Sequence, residues 1–265
     1  MSLTRMALRL AALNALTGAA DDTAPTMAQN RVYDSRISDF SPETYPDDAK
    51  PTIIILTDDD EGETLSRQNG GPPFKRFISL VFEFAMVQGI EMAVVDPITK
   101  QPTTAFVPGF PATDAEHEAS LDFLEWQILR RLAYDLSSAP ALFRKISRSW
   151  KSNCHRQVLD DTGVKIAARV LTLVTEVSDD QEKVYRQGDT LPTGLNVLPD
   201  PLRTVALSLP TGSSALATVS AIAAKIAPLT AGPFKGMDLT YKASVGAGTT
   251  DPADQFTGKA DPPQT

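Results

Sequence analysis

Cysteine is nearly missing from this sequence. Cys154 is the only one in 265 residues, which excludes an intramolecular disulfide framework and any cysteine-based zinc finger. Histidine is as scarce: His117 and His155 are the two present, too few for a His-rich metal site. Positive charge is also short, with 25 Lys and Arg against 33 Asp and Glu and a net charge of −8. A protein that grips nucleic-acid phosphates over a broad face needs clustered Lys and Arg, so that class is disfavoured. No charge-free apolar run reaches the length of a membrane span, so no transmembrane helix is expected. A Gly-rich phosphate loop is lacking too: Gly70-Gly71 runs into Pro72-Pro73, with no P-loop Lys after it. No repeat of fixed period is visible.

What is present suits a globular chain. It is 42% hydrophobic and 22% charged. The length fits one large or two small domains, either able to bury a real core.

Residues 3–16 place Leu3, Met6, Leu10 and Leu13 on one stripe, with Arg5, Arg9 and Asn14 away from it and Gly18 as a stop. This predicts an amphipathic helix. Arg5 and Arg9 before a small-residue stretch also outline a signal peptide, but Asn14, Thr17 and the helical period favour an ordinary helix. Arg31–Arg36 reads as a short strand. Residues 41–48 form a proline-broken loop. Ile53-Ile54-Ile55-Leu56 has the look of a strand covered on both faces, ended by the acidic run Asp58–Glu63. Residues 66–73 read as a turn or mobile loop. Ile78, Leu80, Phe82, Phe84 and Met86 alternate as one apolar face of a long strand. Residues 92–95 and 103–107 flank a turn and suggest a hairpin.

Thr113 with Glu116 three residues on forms a capping box. The helix it starts carries Leu121, Leu124, Ile128, Leu132 and Leu136 on one stripe and ends before Pro140. Residues 140–147 suggest a further helical turn or two. Residues 164–177 form the last long strand, with Leu171 and Leu173 on one face and Val170 and Val174 on the other. The expected class is α+β: a mixed or antiparallel sheet flanked by two helices.

Charge thins near residue 188: 11 of the last 78 residues are charged, against 47 of the first 187. A linker is expected there, dividing a domain at 1–187 from a small β-α-β module at 188–246 and a disordered tail at 247–265. The module's strands are read at 203–209 and 237–245. Its helix is read after Ser213 or Ser214. It is too small to stand alone, so it should dock on the first domain or on a neighbouring subunit.

Chemistry is hard to find. Asp58, Asp59, Asp60, Glu61 and Glu63 could meet a divalent cation, but no second ligand cluster supports that over a solvated strand end or a subunit rim. Asp47, Asp48 and Lys50 faintly suggest a nuclease, yet one loop holds them all. Cys154 and His155 are neighbours, and neighbours on a strand point to opposite faces. His117 reads as a surface residue of a helix start. Arg144, Lys145, Arg148 and Lys151 with Phe143 and Trp150 make a small basic patch, better explained by an amphipathic helix end than by nucleic acid. No catalytic residue, metal or cofactor is expected.

The order of elements is then informative. A Leu-rich helix precedes Arg31-Val32-Tyr33-Asp34-Ser35-Arg36. Pro42-Glu43, Tyr45-Pro46, Pro51 and a strand running into an acidic turn with Gly62-Glu63 follow. A long strand, a long helix and the strand Lys165–Leu173 complete it. Over residues 1–180 this resembles the tail terminator (tail completion) proteins of long-tailed bacteriophages. The resemblance implies a structural virion protein, not an enzyme. It would form a hexameric ring that caps the tail tube, stops polymerisation and meets the head–tail connector or neck protein. It implies assembly in the bacterial cytoplasm. Relative to the family, residues 66–112 would be an insert and residues 188–265 an addition.

An acidic wall suits a ring that DNA crosses without specific binding. Ring contacts must be heterologous, one patch meeting a different patch. The expected pair is Arg31, Asp34 and Arg36 against Asp58, Asp59, Asp60 and Glu61. The rival readings are another neck or tail-tube component and a metal-dependent hydrolase using Asp58–Asp60.

Overall fold

The computed structural model describes residues 3–17, 25–35, 49–66, 69–95, 101–109, 114–158, 165–181, 190–230, 239–240 and 257–258. Helix α1 is Leu3–Thr17. The expected stripe marks only part of its buried surface. Leu10 lies in the core, while Leu3, Met6 and Leu13 only flank it. Ala7, Leu8, Ala11, Ala12, Ala15 and Leu16 are all buried. The reason is a cover on several sides: α1 packs on helices α2, α3 and α4 as well as on strands. Asn14, expected on the polar face, is buried, and its amide donates to the Ser208 carbonyl at 3.5 Å.

Strand β1 (Val32–Asp34) lies parallel to β2 (Lys50–Ser66), with Val32 opposite Ile53. β2 pairs antiparallel with β3 (Asn69–Val95) from Lys50↔Val87 to Ser66↔Asn69. β3 is the spine of a mixed sheet ordered β1-β2-β3-β6-β5, and β4 (Pro102–Gly109) pairs with its far end. β5 is Ser147–Val158 and β6 is Lys165–Ser178. β5 has no counterpart in the expected order, because its alternation is polar: it is an edge strand with one covered face.

Two expectations about β2 change. The acidic run does not end the strand, because pairing continues through Asp60↔Ile78, Glu61↔Phe77 and Glu63↔Lys75. Residues 69–73 are strand rather than loop, and the prolines and glycines sit where the register shifts between Thr64 and Ser66. An irregularity tolerates residues that cannot donate or that weaken regular pairing. Ile53 and Ile55 are fully buried, whereas Ile54 and Leu56 on the opposite face are only half-buried. The hairpin over 92–107 is present, with Met92↔Ala105 and Val94↔Thr103.

Helix α2 (Ala115–Tyr134) starts at Asp114, whose carboxylate accepts the His117 N–H at 2.8 Å. Asp114 is therefore the cap rather than Thr113, which lies outside the described residues. Leu121, Leu124, Ile128 and Leu132 are buried as the stripe predicts, but Leu136 lies beyond the helix and is exposed. Helix α3 (Ser138–Ile146) drives Phe143 into the core against Trp150, centroids 5.5 Å apart. α1, α2 and α3 share one core with the sheet residues Ile78, Leu80, Phe82, Phe84, Leu171 and Leu173. Each large side chain so buried contributes ~2 kcal/mol. The general class is thus α+β, as expected.

The first strand of the C-terminal module is not formed. Residues 202–206 are helix α4, followed by a turn. Leu202, Val205, Ala206 and Leu209 are its buried side chains. Their spacing of three, one and three is helical, and it outweighs the alternation counted from Val205. α5 (Ser214–Thr230) forms where expected, with Ser213 Oγ accepting the Leu216 N–H at 3.2 Å. Val197, Leu198, Leu202, Val205 and Val219 belong to the same core as α1, so this segment docks on the first unit. Of the expected second strand, the structure describes β7 (Leu239–Thr240), which pairs antiparallel with β8 (Thr257–Gly258) inside the segment expected to be a disordered tail. Most of the expected linker near 188 and most of the expected tail lie outside the described residues.

Candidate functional site

The residues expected at a subunit contact divide sharply once their partners are known. Arg31, just before β1, turns inward. Its Nε donates to the Pro51 carbonyl at 2.9 Å and its Nη2 to the Met27 carbonyl at 3.0 Å. Burial lowers its pKa from the usual guanidinium value. Asp34 accepts from Arg9 Nε of α1 and from Ser35 Oγ. Arg36 lies outside the described residues. Arg31 and Asp34 therefore fasten β1 to its own chain, and the structure does not bring them to the acidic cluster.

The acidic cluster is split as well. β2 carries one extra residue between Thr57 and Asp60, a bulge that holds Asp58 and Asp59. Both are exposed, as are Glu61 and Glu63. Asp60 instead pairs with Arg76 of β3 at 2.9 Å. Arg76 also holds Asp179 at the end of β6, whose other oxygen accepts the Phe74 N–H at 3.1 Å. Burial opposes ionisation of Asp179, but these hydrogen bonds outweigh it and hold the carboxyl below its usual range. Arg5 of α1 donates to the Thr57 and Asp58 carbonyls, closing part of this strand edge. Glu83, on the sheet face away from the helices, is pushed up by burial and by the nearby charge of Asp58.

Among the described residues, no three His, Cys, Asp or Glu side chains come together to hold a metal ion. Asp47 and Asp48 lie outside the described residues, and Lys50 opens β2. Cys154 and His155 do not form a pair. Cys154 faces α2, where burial and a hydrogen bond with Glu125 push its thiol up to about 12, while His155 is exposed. A thiol so protonated is a poor nucleophile at neutral pH. His117 is half-covered, with Nδ1 3.3 Å from the Asp114 carboxylate. The expected basic patch spans two elements. Arg144 of α3 caps α2 by donating to the Leu132 and Asp135 carbonyls, and Arg148 of β5 donates to Ser178 Oγ at 2.9 Å.

A second charge cluster is internal. Arg169 of β6 reaches Glu118, Asp122 and Glu125 along α2, and Arg156 of β5 also meets Glu118. Burial works against the Arg169 charge, but hydrogen bonds to Glu118 and Asp122 prevail and raise its pKa. This network bolts α2 to the sheet.

The opposite face of α2 is different. Phe123 and Trp126 stack with centroids 5.6 Å apart, each half exposed. Arg130 lies over the Trp126 ring at 4.9 Å. Tyr134 is 78% exposed and Leu136 90% exposed. Beside them runs a groove of about 390 Å³ that Pro25, Gln127, Arg131 and Asp135 help to line. Gln127 ties the 25–30 segment to α2 by accepting the Met27 N–H at 2.9 Å. The sequence carries a signal for this face: positions 123, 126, 130 and 134 recur at helical spacing opposite the leucine stripe. Reading only the leucine side misses it.

No family model matches the chain, and no curated protein matches it either. Among the described residues, no helix is long and apolar enough to cross a membrane.

Proposed function

We propose that this chain is a structural virion protein, a tail terminator. It assembles as a hexameric ring that caps the phage tail tube, ends its polymerisation and joins the tail to the head connector or neck protein. DNA crosses the ring without being held, and assembly takes place in the bacterial host cytoplasm. The supporting observation is the order and placement of the elements. A leading helix lies over a sheet, the short strand in Arg31–Arg36 runs parallel beside β2, and the long helix α2 and strand β6 complete the layer. The resemblance rests on the same leading helix, short strand, long helix and last strand, while its acidic turn is here paired strand and α3 and β5 come between α2 and β6. The net charge of −8 agrees with a wall that repels a polyanion.

In the subunit contact expected between Arg31, Asp34 and Arg36 and the Asp58–Glu61 cluster of a neighbouring copy, Arg31 and Asp34 would have to share the partners they already hold within the chain. The hydrolase alternative gains nothing from Asp60, whose carboxylate is held by Arg76.

Light scattering and negative-stain imaging of the purified chain test the proposal. Closed rings with a central hole are expected at modest concentration. Open tubes that lengthen with concentration would mark a tail-tube protein instead. A monomer that hydrolyses a phosphodiester with Mg²⁺ or Mn²⁺ would end the structural reading.

A further inference from the structure

The exposed face of α2 combines features that usually lie inside a protein contact. Four of the large apolar side chains left exposed, Phe123, Trp126, Tyr134 and Leu136, fall on this face or just past its end. Trp, Tyr and Arg are the residue types that dominate binding energy at protein interfaces. Here Trp126, Tyr134 and Arg130 occur within nine positions. Arg130 lies over the Trp126 ring and is in none of the ion pairs among the described residues, whereas its neighbour Arg131 is held by Asp135. The face thus offers a cation already ordered on an aromatic ring, beside a groove of about 390 Å³.

A matching patch exists elsewhere on the same molecule. Asp58, Asp59, Glu61 and Glu63 are exposed along β2. Beyond the short pairing with β1 at Ile53–Ile55, that edge of β2 meets no further strand among the described residues. The carboxylates stand on the edge of the sheet, whereas the aromatic face of α2 points away from it. Beside that groove Asp135 is held by Arg131, which leaves Arg130 as the unpaired charge of the aromatic face among the described residues. One chain therefore carries, on different sides, a cation set among aromatic rings and a row of exposed carboxylates, two different patches of the kind a head-to-tail contact needs.

We infer that the α2 face of one subunit receives the acidic β2 edge of a second copy of this chain, with Arg130 meeting the Asp58–Glu63 carboxylates and Trp126 and Tyr134 closing over them. This deepens the ring reading and rests on it. Arg130 gains a full ion pair on assembly. The aromatic rings exclude water from that pair and so strengthen it.

The test uses the full chain and three variants: Arg130→Glu, the pair Asp59→Lys and Glu61→Lys, and all three changes together. Trp126→Ser is a second probe free of charge effects. Circular dichroism and melting check each fold, which should hold because every altered side chain is exposed. Wild type should assemble. Arg130→Glu, the lysine pair and Trp126→Ser should each weaken assembly by ~10-fold or more, the range of a hot-spot loss. The triple charge swap should recover most of it.

If wild type assembles and both Arg130→Glu and Trp126→Ser keep its mass, this contact is wrong and the ring reading stands. If wild type is a monomer, both fall. If Arg130→Glu keeps the mass but abolishes binding of a single-stranded oligonucleotide, the face is a base-stacking platform and the inference is overturned.

Discussion

The two halves of the β2–β3 ladder share one hydrogen-bond pattern and little else. From Thr52 to Thr57 the ladder is apolar, with Ile53 and Ile55 facing Phe84 and Phe82 in the core. From Asp60 to Glu63 it is acidic and largely exposed, yet the pairing continues to Lys75. The first half is held by burial. The second is held by one cation, Arg76, between Asp60 and Asp179, and by β6 on the far side of β3. A strand thus runs on past its hydrophobic residues where a neighbouring strand and one well-placed guanidinium support it. Charges on its free edge also guard it against unwanted pairing.

Breaking the apolar half should have the largest effect. Phe82→Ala leaves a cavity between the sheet and the helices and should cost about 3–5 kcal/mol in urea unfolding. Next comes the cation. Arg76→Ala strands the covered Asp179 carboxylate and should cost about 2–3 kcal/mol, less than a fully buried pair because Arg76 keeps 15% of its side-chain surface. Hydrogen exchange should then rise over Asp60–Lys75 before it rises over Thr52–Thr57. An Arg76→Ala variant that opens both halves equally would show that the ladder is one unit.

Acid offers a gentler probe. The native Asp179 carboxyl titrates below its unfolded value, so the native state binds fewer protons there. Its contribution is complete above roughly pH 4, the unfolded carboxyl value, and fades as the pH falls through the native one. Unfolding curves should therefore show wild type losing stability on acidification below that point, and Arg76→Ala losing less. Glu83 has the opposite sign. Its raised value means the native state resists ionisation, so stability falls as the pH rises from the unfolded value to the native one. Glu83→Gln should remove that fall and leave the protein slightly more stable at neutral pH, a small gain because solvent screens the site.

Much of the architecture is legible in the sequence, and the misses share a cause. α1, α2 and the apolar face of β3 follow from spacing alone, because a periodic stripe is a local signal. The extension of β2 through Asp58–Glu63 is not local. It depends on Arg76 and Asp179, the latter more than a hundred residues away. α4 was hidden by two competing periods in one short run, and the core contact of Leu202 and Val205 with α1 decides between them. Partners are the least legible feature. Arg31 and Asp34 look like surface charges in the sequence, and only the fold shows that backbone carbonyls and Arg9 engage them. The outer face of α2 shows the reverse: the pattern was present, but a core-seeking reading follows the leucines.

β3 runs from Asn69 to Val95, well past its neighbours on one side. β2 leaves it at Val87 and β6 at Ala85, so from Gln88 onward, among the described residues, β4 alone runs beside it. Adding or deleting one residue in the middle of β3 would exchange the core side chains for those on the opposite face. The same change beyond Gln88 would re-register a single hairpin. Length variation among natural variants, and tags introduced by design, should therefore gather at that end of the strand and avoid its centre.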